Sequence, residues 1–425
     1  MRTGLTEVLP ATAAVQDGEL TVGGVLASAL AEEFGTPLVV YCEQTMLDQA
    51  RAYRRAAPAA RVLYSVKAFQ NLALLRLFAG EGLGADVSTL GELSFALRAG
   101  MPAGLIVVHG NNKSDEELRA AADAGADLVV LDALDEVERT AAAGVKRVLV
   151  RATPGIDAET HDAIKTAHYG SKFGLPPEQT LEAIERGREA GLDVAGLHVH
   201  IGSQLLELGA GRMTVDWLAA FAAECRAQLD WTPAVVDLGG GLGIQYVEGE
   251  PAPSVAQFVE TLLARLGRSW ELHDLLLPQL ILEPGRSLIG RAGLTLYRVG
   301  TVKRASETTT YVAIDGGMSD NPRPQLYGAR FTALLANRAD EPAGDAFCVC
   351  GKHCESGDVL IDRVELPEPR RGDLLAVPAT GAYTLGMGSN YNSVPRPAAV
   401  LVADGEATVI RRRETVDDLL AFELP

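Results

Sequence analysis

Segments that would send this chain to a membrane or hold it there are missing from the sequence. There is no run of about eighteen apolar residues, so no spanning helix is expected. Met1 to Val22 carries acidic residues and lacks a basic stretch leading into an apolar core, which argues against a secretory signal. Cysteine is scarce. The five present (Cys42, Cys225, Cys348, Cys350, Cys354) are an odd count without disulfide-framework spacing, and a reducing cytoplasm is the simpler setting. Positive charge is also short, with 38 Lys and Arg against 56 Asp and Glu and a formal charge of −18. That disfavours nucleic acid and anionic membranes as partners, although a few arginines can still build a local pocket for an anionic small molecule. Internal repeats, low-complexity tracts and long linkers are absent.

What is present is the balance of a globular protein, 47% apolar and 22% charged, over 425 residues, too long for one ordinary domain. From about Thr36 to Leu282 short apolar runs alternate with segments of helical period. The expected strands are Arg61–Val66, Gly84–Val87, Leu105–His109, Asp127–Leu131, Arg147–Arg151, Val194–His200, Ala234–Leu238 and Gln279–Glu283. Eight strands alternating with helices predict parallel pairing and a closed (β/α)8 TIM-like barrel over residues 36–283. After Glu283 strand-like segments follow one another with few helical signals, predicting a second, mainly antiparallel β domain over 284–425. Residues 1–35, with a strand expected at Glu19–Val22, are expected to join that domain.

Several residues point to chemistry. Lys67 ends the strand beginning at Arg61, at the barrel face where such folds place reactive groups. A desolvated lysine there is a usable amine nucleophile, although alone a surface lysine at a strand end is the simpler reading. His198 and His200 lie two apart on a strand and share a side, suiting either contact with an aromatic cofactor or a metal. For His198 an ordinary core position also fits. Asp237-Leu-Gly-Gly-Gly-Leu-Gly243 runs a strand into glycines whose backbone N–H groups can approach a phosphate. It does not match the dinucleotide pattern, and a plain glycine turn stays open. In Glu283-Pro-Gly-Arg286 a carboxylate could keep a pyridine nitrogen protonated and an arginine could bind a carboxylate, or the two could form a salt bridge at a turn. The Cys348–Asp358 segment has no usual zinc spacing, so no metal is expected there.

In order along the chain stand Y-S-V-K-A-F (Tyr64–Phe69), G-A-D-V-S (Gly84–Ser88), H-V-H-I-G-S-Q (His198–Gln204) and D-L-G-G-G-L-G (Asp237–Gly243). E-P-G-R (Glu283–Arg286), R-P-Q-L-Y (Arg323–Tyr327), C-E-S-G-D (Cys354–Asp358) and G-A-Y (Gly381–Tyr383) continue the series. Together they resemble the fold-type III pyridoxal-phosphate decarboxylases, and among these the diaminopimelate decarboxylases, from about residue 30 to 400. The resemblance implies pyridoxal 5'-phosphate as cofactor, held as a Schiff base on Lys67, with His200 stacked on its ring. It implies that Ser203, Gly240, the Gly285–Arg286 backbone and Tyr383 hold the phosphate, that Glu283 pairs with the ring nitrogen, and that Asp86 and Arg151 support the lysine side. Arg286, Arg323, Tyr327 and Tyr383 would meet the substrate, Glu355 would take its distal ammonium, and Cys354 would donate the proton that replaces the lost carboxylate. Cys354, Glu355 and Tyr383 would act at the interface of a homodimer that shares its active sites.

A substrate with two amines and a second carboxylate needs extra cations, which Arg286 and Arg323 supply, and Glu355 answers the second amine. The resemblance therefore implies decarboxylation of meso-2,6-diaminopimelate to L-lysine and CO2, the last step of lysine biosynthesis. Ile164–Gly174 also looks like that subfamily's loop before the sixth strand. Two departures stand out: glycine at Gly386 where serine is usual, and valine at Val394 where arginine is usual. They leave open a related decarboxylase of a secondary-metabolite pathway, acting on another diamino acid or on a modified or carrier-linked substrate.

Overall fold

A computed structural model describes residues 3–155, 171–200 and 202–424. The chain divides into two compact units, one of residues 1–48, 244–251 and 288–425, the other of residues 49–243 and 252–287. Near the N-terminus β1 (Ala14–Gln16), β2 (Glu19–Val22) and β3 (Val25–Leu26) form a small antiparallel sheet in the first unit. The strand that follows, β4 (Leu38–Cys42), belongs to this unit too, although the expected boundary at residue 36 assigned it to the barrel. All five of its residues are buried.

The second unit is the barrel. Its strands are β5 (Arg61–Ser65), β6 (Gly84–Val87), β7 (Ile106–Val108), β8 (Leu128–Leu131), β9 (Arg147–Arg151), β10 (Asp193–His198), β11 (Val235–Asp237) and β12 (Gln279–Leu282). They close in sequence order, β12 pairing with β5, and every pairing is parallel. Each expected barrel strand is present, with ends shifted by a residue or two. Helices between strands start and stop on local signals. Ser114 and Glu117 form a capping box at the start of Asp115–Ala124, which ends at Gly125 in the left-handed conformation. Ser254 and Gln257 do the same for Val255–Leu272.

Side-chain alternation stacks the barrel interior in layers. Leu63, Val107, Val130, Leu149, Val235 and Ile281 belong to one buried apolar cluster drawn from different strands. Two residues further along the same strands, on the same side, come Ser65, His109, Asp132, Arg151, Asp237 and Glu283. An apolar layer is therefore followed by a polar one at the C-terminal ends of the strands, and all six of those polar residues are buried.

The first unit carries the second sheet, built on β13 (Gly293–Arg304), β14 (Thr310–Ile314), β15 (Leu334–Leu335), β16 (Ala346–Cys350), β17 (Val359–Glu365), β18 (Leu374–Pro378), β19 (Ala398–Ala403) and β20 (Glu406–Arg411). Its order is β17-β16-β14-β13-β4-β19-β20, with β18 pairing to both β13 and β15. Pairing is mainly antiparallel; β4 with β19 and β14 with β16 are parallel. β4 is central because it pairs on both edges, with β13 and with β19. Among the described residues no helix is long and apolar enough to cross a membrane.

Candidate active site

The polar layer at the barrel end brings together residues far apart in sequence. Strand register alone sets Ser65 beside Asp86, and His198 between Arg151 and Asp237. Lys67 follows β5 in a single 3-10 turn, and its Nζ lies 3.0 Å from Asp86 Oδ2. Ser65 donates its hydroxyl to the same oxygen. Burial raises the Asp86 carboxyl, but Lys67, His109 and the Ser65 and Lys67 hydrogen bonds outweigh it and hold it well below the usual carboxylate range. The side chain of Lys67 is 45% exposed in the single chain, whereas that of Asp86 is 1% exposed. The buried Asp86 carboxylate thus fixes the position of Lys67 Nζ.

Glu283, just past β12, is the centre of the cluster. Its Oε1 is 2.6 Å from His109 Nε2 and its Oε2 is 3.6 Å from His198 Nε2. Asp237 lies in the same layer, and its Oδ1 accepts from Gly239 N at 2.8 Å. Burial, with the Glu283 charge beside it, pushes the Asp237 carboxyl up to about 8. Burial also keeps the His198 ring neutral, and among the described residues neither of its nitrogens has a hydrogen-bond partner. His109, His198, Asp237 and Glu283 offer donor atoms within 4.8 Å of one another. Parallel strands supply these carboxylates from parts of the chain distant in sequence. Arg151 is buried, with Nε 3.8 Å from Asp132 and its guanidinium 4.6 Å from the Phe173 ring centroid.

The glycine run has no room for side chains. Gly239 has φ +64°, and a Cβ on it would lie 2.5 Å from His200 Nδ1; a Cβ on Gly240 would lie 2.4 Å from the Glu283 carbonyl oxygen. His200 Nδ1 accepts from Gly240 N at 3.3 Å. Burial first, then the Lys67 and Arg151 charges, hold its ring neutral, which agrees with an acceptor at Nδ1. Gly285 sits in the turn after β12, and the buried Arg286 donates to Ser203 Oγ through Nη2 at 2.8 Å and Nε at 3.2 Å. Lys67, Asp86, Arg151, His200, Ser203, Gly240, Glu283, Gly285 and Arg286 all belong to the barrel unit.

Arg323, Tyr327, Cys354, Glu355 and Tyr383 belong to the other unit. Arg323 opens the short helix Arg323–Tyr327 and is buried, with its guanidinium 4.6 Å from the Tyr246 ring centroid and Nη1 bonded to the Tyr246 hydroxyl. Tyr246 went unnoticed in the sequence because only folding brings residues 244–251 to this unit. Tyr327 is half-buried, and Cys354 and Glu355 are exposed. Their loop is held by Asp358, whose carboxylate accepts from Met318 N at 2.7 Å, His353 N at 2.9 Å and His353 Nδ1 at 2.7 Å. Asn392 Oδ1 accepts from Cys354 N at 2.8 Å, so the segment holding the Gly386 and Val394 departures does touch this loop. Tyr383 has φ +58°, a strained conformation for a bulky residue. Of the loop expected at Ile164–Gly174, residues 164–170 lie outside the described residues.

Residues 43–290 match the family model described as the pyridoxal-binding domain of pyridoxal-dependent decarboxylases. The chain is 43% identical over 425 residues to a diaminopimelate decarboxylase of Actinosynnema pretiosum subsp. auranticum, covering 99% of this chain and 96% of that one. It is 41% identical over 423 residues to the Bacillus subtilis (strain 168) diaminopimelate decarboxylase, covering 96% of each. Among solved structures, the M. jannaschii diaminopimelate decarboxylase in complex with L-lysine superposes with a TM-score of 0.91 at 33% identity, over 98% of each chain. The expected fold and cofactor class are those of these relatives. The chain belongs to the pyridoxal-dependent decarboxylases, and within them to the diaminopimelate decarboxylases.

Proposed function

We propose that this enzyme decarboxylates meso-2,6-diaminopimelate to L-lysine and CO2 with pyridoxal 5'-phosphate carried on Lys67. The observation that carries the reading is near full-length likeness to diaminopimelate decarboxylases, in a chain whose barrel end pairs Lys67 with a buried Asp86 beside Glu283. The donor set fits the cofactor. A pyridine nitrogen needs a buried carboxylate, and Glu283 is 5% exposed. A phosphate needs close backbone and a cation, and Gly239–Gly241, Ser203 and Arg286 offer both. Asp86 Oδ1 and both His198 ring nitrogens are buried polar atoms with no hydrogen-bond partner among the described residues.

When bound, the cofactor supplies a protonated ring that takes up the electron pair left as the α-carboxylate departs. Glu283 would hold the proton at the ring nitrogen, and Asp86, which fixes Lys67 Nζ, would support the lysine side of the ring together with Arg151. His200 would pack on the ring. Ser203, Gly240, Gly285, Arg286 and Tyr383 would hold the phosphate. Arg286, Arg323, Tyr327 and Tyr383 hold the substrate, and the arginines with Tyr327 take its distal carboxylate. Glu355 takes the distal ammonium, and Cys354 Sγ delivers a proton to the α-carbon.

Cys354, Glu355 and Tyr383 serve the active site at a homodimer interface; the exposure of Cys354 and Glu355 in the single chain supports this. The barrel and the β domain are its two working parts, with residues 1–48, 244–251 and 288–425 in the β domain and the rest in the barrel. The cytoplasm is its compartment, a reading supported by free cysteines at Cys42, Cys225, Cys348, Cys350 and Cys354. A CO2-release assay over a panel of diamino acids with added pyridoxal phosphate tests the function. Release from meso-diaminopimelate with lysine as product is expected. Release from ornithine or lysine but not from diaminopimelate would overturn the substrate.

A further inference from the structure

The roles above leave His109 unused, yet it lies at the electrostatic centre of the barrel end. It directly follows β7, its backbone N–H donates to Val87 O at 2.7 Å, and its ring is buried. Nε2 lies 2.6 Å from Glu283 Oε1 and 3.7 Å from Asp86 Oδ1. The ring edge meets His198 at a centroid distance of 4.8 Å and 67°. The ionisable groups around it are therefore Asp86 on β6, His198 on β10, Asp237 on β11 and Glu283 after β12. Arg151, Lys67 and Glu92 add their charges to the same cluster. Burial disfavours an imidazolium here, but Glu283 and Asp86 more than offset it, so the ring holds its proton above the ordinary histidine range.

We propose that His109 is a positioning residue that grips Glu283 Oε1, leaving Oε2 as the oxygen that meets the cofactor's ring nitrogen. The proposal rests on the assignment of Glu283 to that nitrogen. Glu283 shares its pocket with two other buried carboxyls, Asp86 and Asp237. A charged donor bonded to Oε1 fixes the rotation of the Glu283 carboxylate among them. Through the 3.7 Å approach to Asp86 it also ties the ring-nitrogen side to the Lys67–Asp86 pair. The sequence carried a faint signal for it: a histidine ending a buried strand, on the same side as Val107 in the barrel core.

His109→Gln and His109→Phe test the idea. Gln places a neutral donor near the position of Nε2, whereas Phe keeps ring volume and removes the donor. The readouts are the dissociation constant of pyridoxal phosphate from the apo-enzyme, the pH titration of the bound cofactor's visible absorbance, and the split of kcat from KM. H109F should weaken cofactor binding roughly tenfold or more, the worth of one charge-assisted hydrogen bond, and lower kcat more than it raises KM. H109Q should recover most of the affinity but keep a displaced absorbance titration, because it restores the donor without the charge. In a Glu283→Gln background H109F should cost no further affinity.

Wild-type affinity and titration in both His109 variants, with E283Q impaired, would overturn the role of His109 and leave the Glu283 assignment standing. A full additional loss on adding H109F to E283Q would overturn it as well. Wild-type affinity and titration in E283Q would instead remove the ring-nitrogen assignment. If H109F fails to fold, H109Q decides alone: unchanged in both affinity and titration, it refutes the proposal. Selective imidazole NMR of the apo-protein tests the pairing without cofactor; the His109 resonance should titrate above a free imidazole and fall in E283Q.

Discussion

Replacing one hydrogen at Gly240 tests whether the glycine run is a cradle or an ordinary turn. Its φ is not in the left-handed region, so alanine suits the backbone and any effect must be steric. A Cβ there would lie 2.4 Å from the Glu283 carbonyl oxygen and 3.2 Å from its carbon, where real contacts do not fall below 3.0 Å. The two segments must part by roughly 0.6 Å, and the obstacle is backbone, which cannot swing aside. Overpacking of this kind costs about 1–3 kcal/mol. The displaced segment, Glu283–Arg286, carries both the proposed ring-nitrogen partner and the proposed phosphate partner. Gly240→Ala should therefore weaken cofactor binding by about ten- to a hundredfold, as well as lowering the melting temperature. Equilibrium titration of apo-protein with pyridoxal phosphate, with a thermal melt, reads both. Gly267→Ala is the control. It lies in the helix Val255–Leu272 with nothing within 4 Å of its Cβ, and should stabilise by about 0.5–1 kcal/mol without touching affinity. Wild-type affinity and melting in G240A would refute the cradle.

The barrel-end electrostatics predict a pH signature. Burial and the Glu283 charge raise Asp237 to about 8, above the unfolded value of about 3.9. Its contribution to stability is full below the unfolded value and is lost as pH rises through about 8. Asp237→Asn removes that loss, so the melting temperature of the apo-variant relative to wild type should climb between about pH 5 and pH 8. A pH-independent difference would count against the raised carboxyl. Tyr246→Phe keeps the ring face under Arg323 but removes the hydroxyl bonded to its Nη1. Losing a hydrogen bond to a charged group is worth about 1.5–3 kcal/mol, so KM for diaminopimelate should rise roughly tenfold with cofactor affinity intact; equal loss of both would argue against a substrate role for Arg323. Lys67→Ala should abolish the visible band of the lysine-bound cofactor, and an unchanged spectrum would sink the Lys67 assignment.

The barrel was legible because each strand is a short apolar run between helical segments, a local pattern that parallel pairing preserves. The second unit was less so. β4 looks like one more barrel strand in sequence, but pairing on both edges with β13 and β19 claims it for the sheet, and no local signal announces such long-range partners. The motif residues of the candidate site were legible by resemblance. Their neighbours were not: His109 gains meaning only beside Glu283, and Tyr246 only beneath Arg323.

By itself the sequence determined the alternation of strand and helix, the capping signals, the side of each strand that turns polar at its end, and the order of motifs that marks the family. All are local properties, set by spacing and residue type along the chain. Tertiary structure decided which polar ends meet. Closing eight strands put Asp86, His109, His198, Asp237 and Glu283 in one buried layer. There desolvation and close charges set which carboxyl keeps a proton and which stays ionised, and those energies depend on distances that no spacing in the chain encodes.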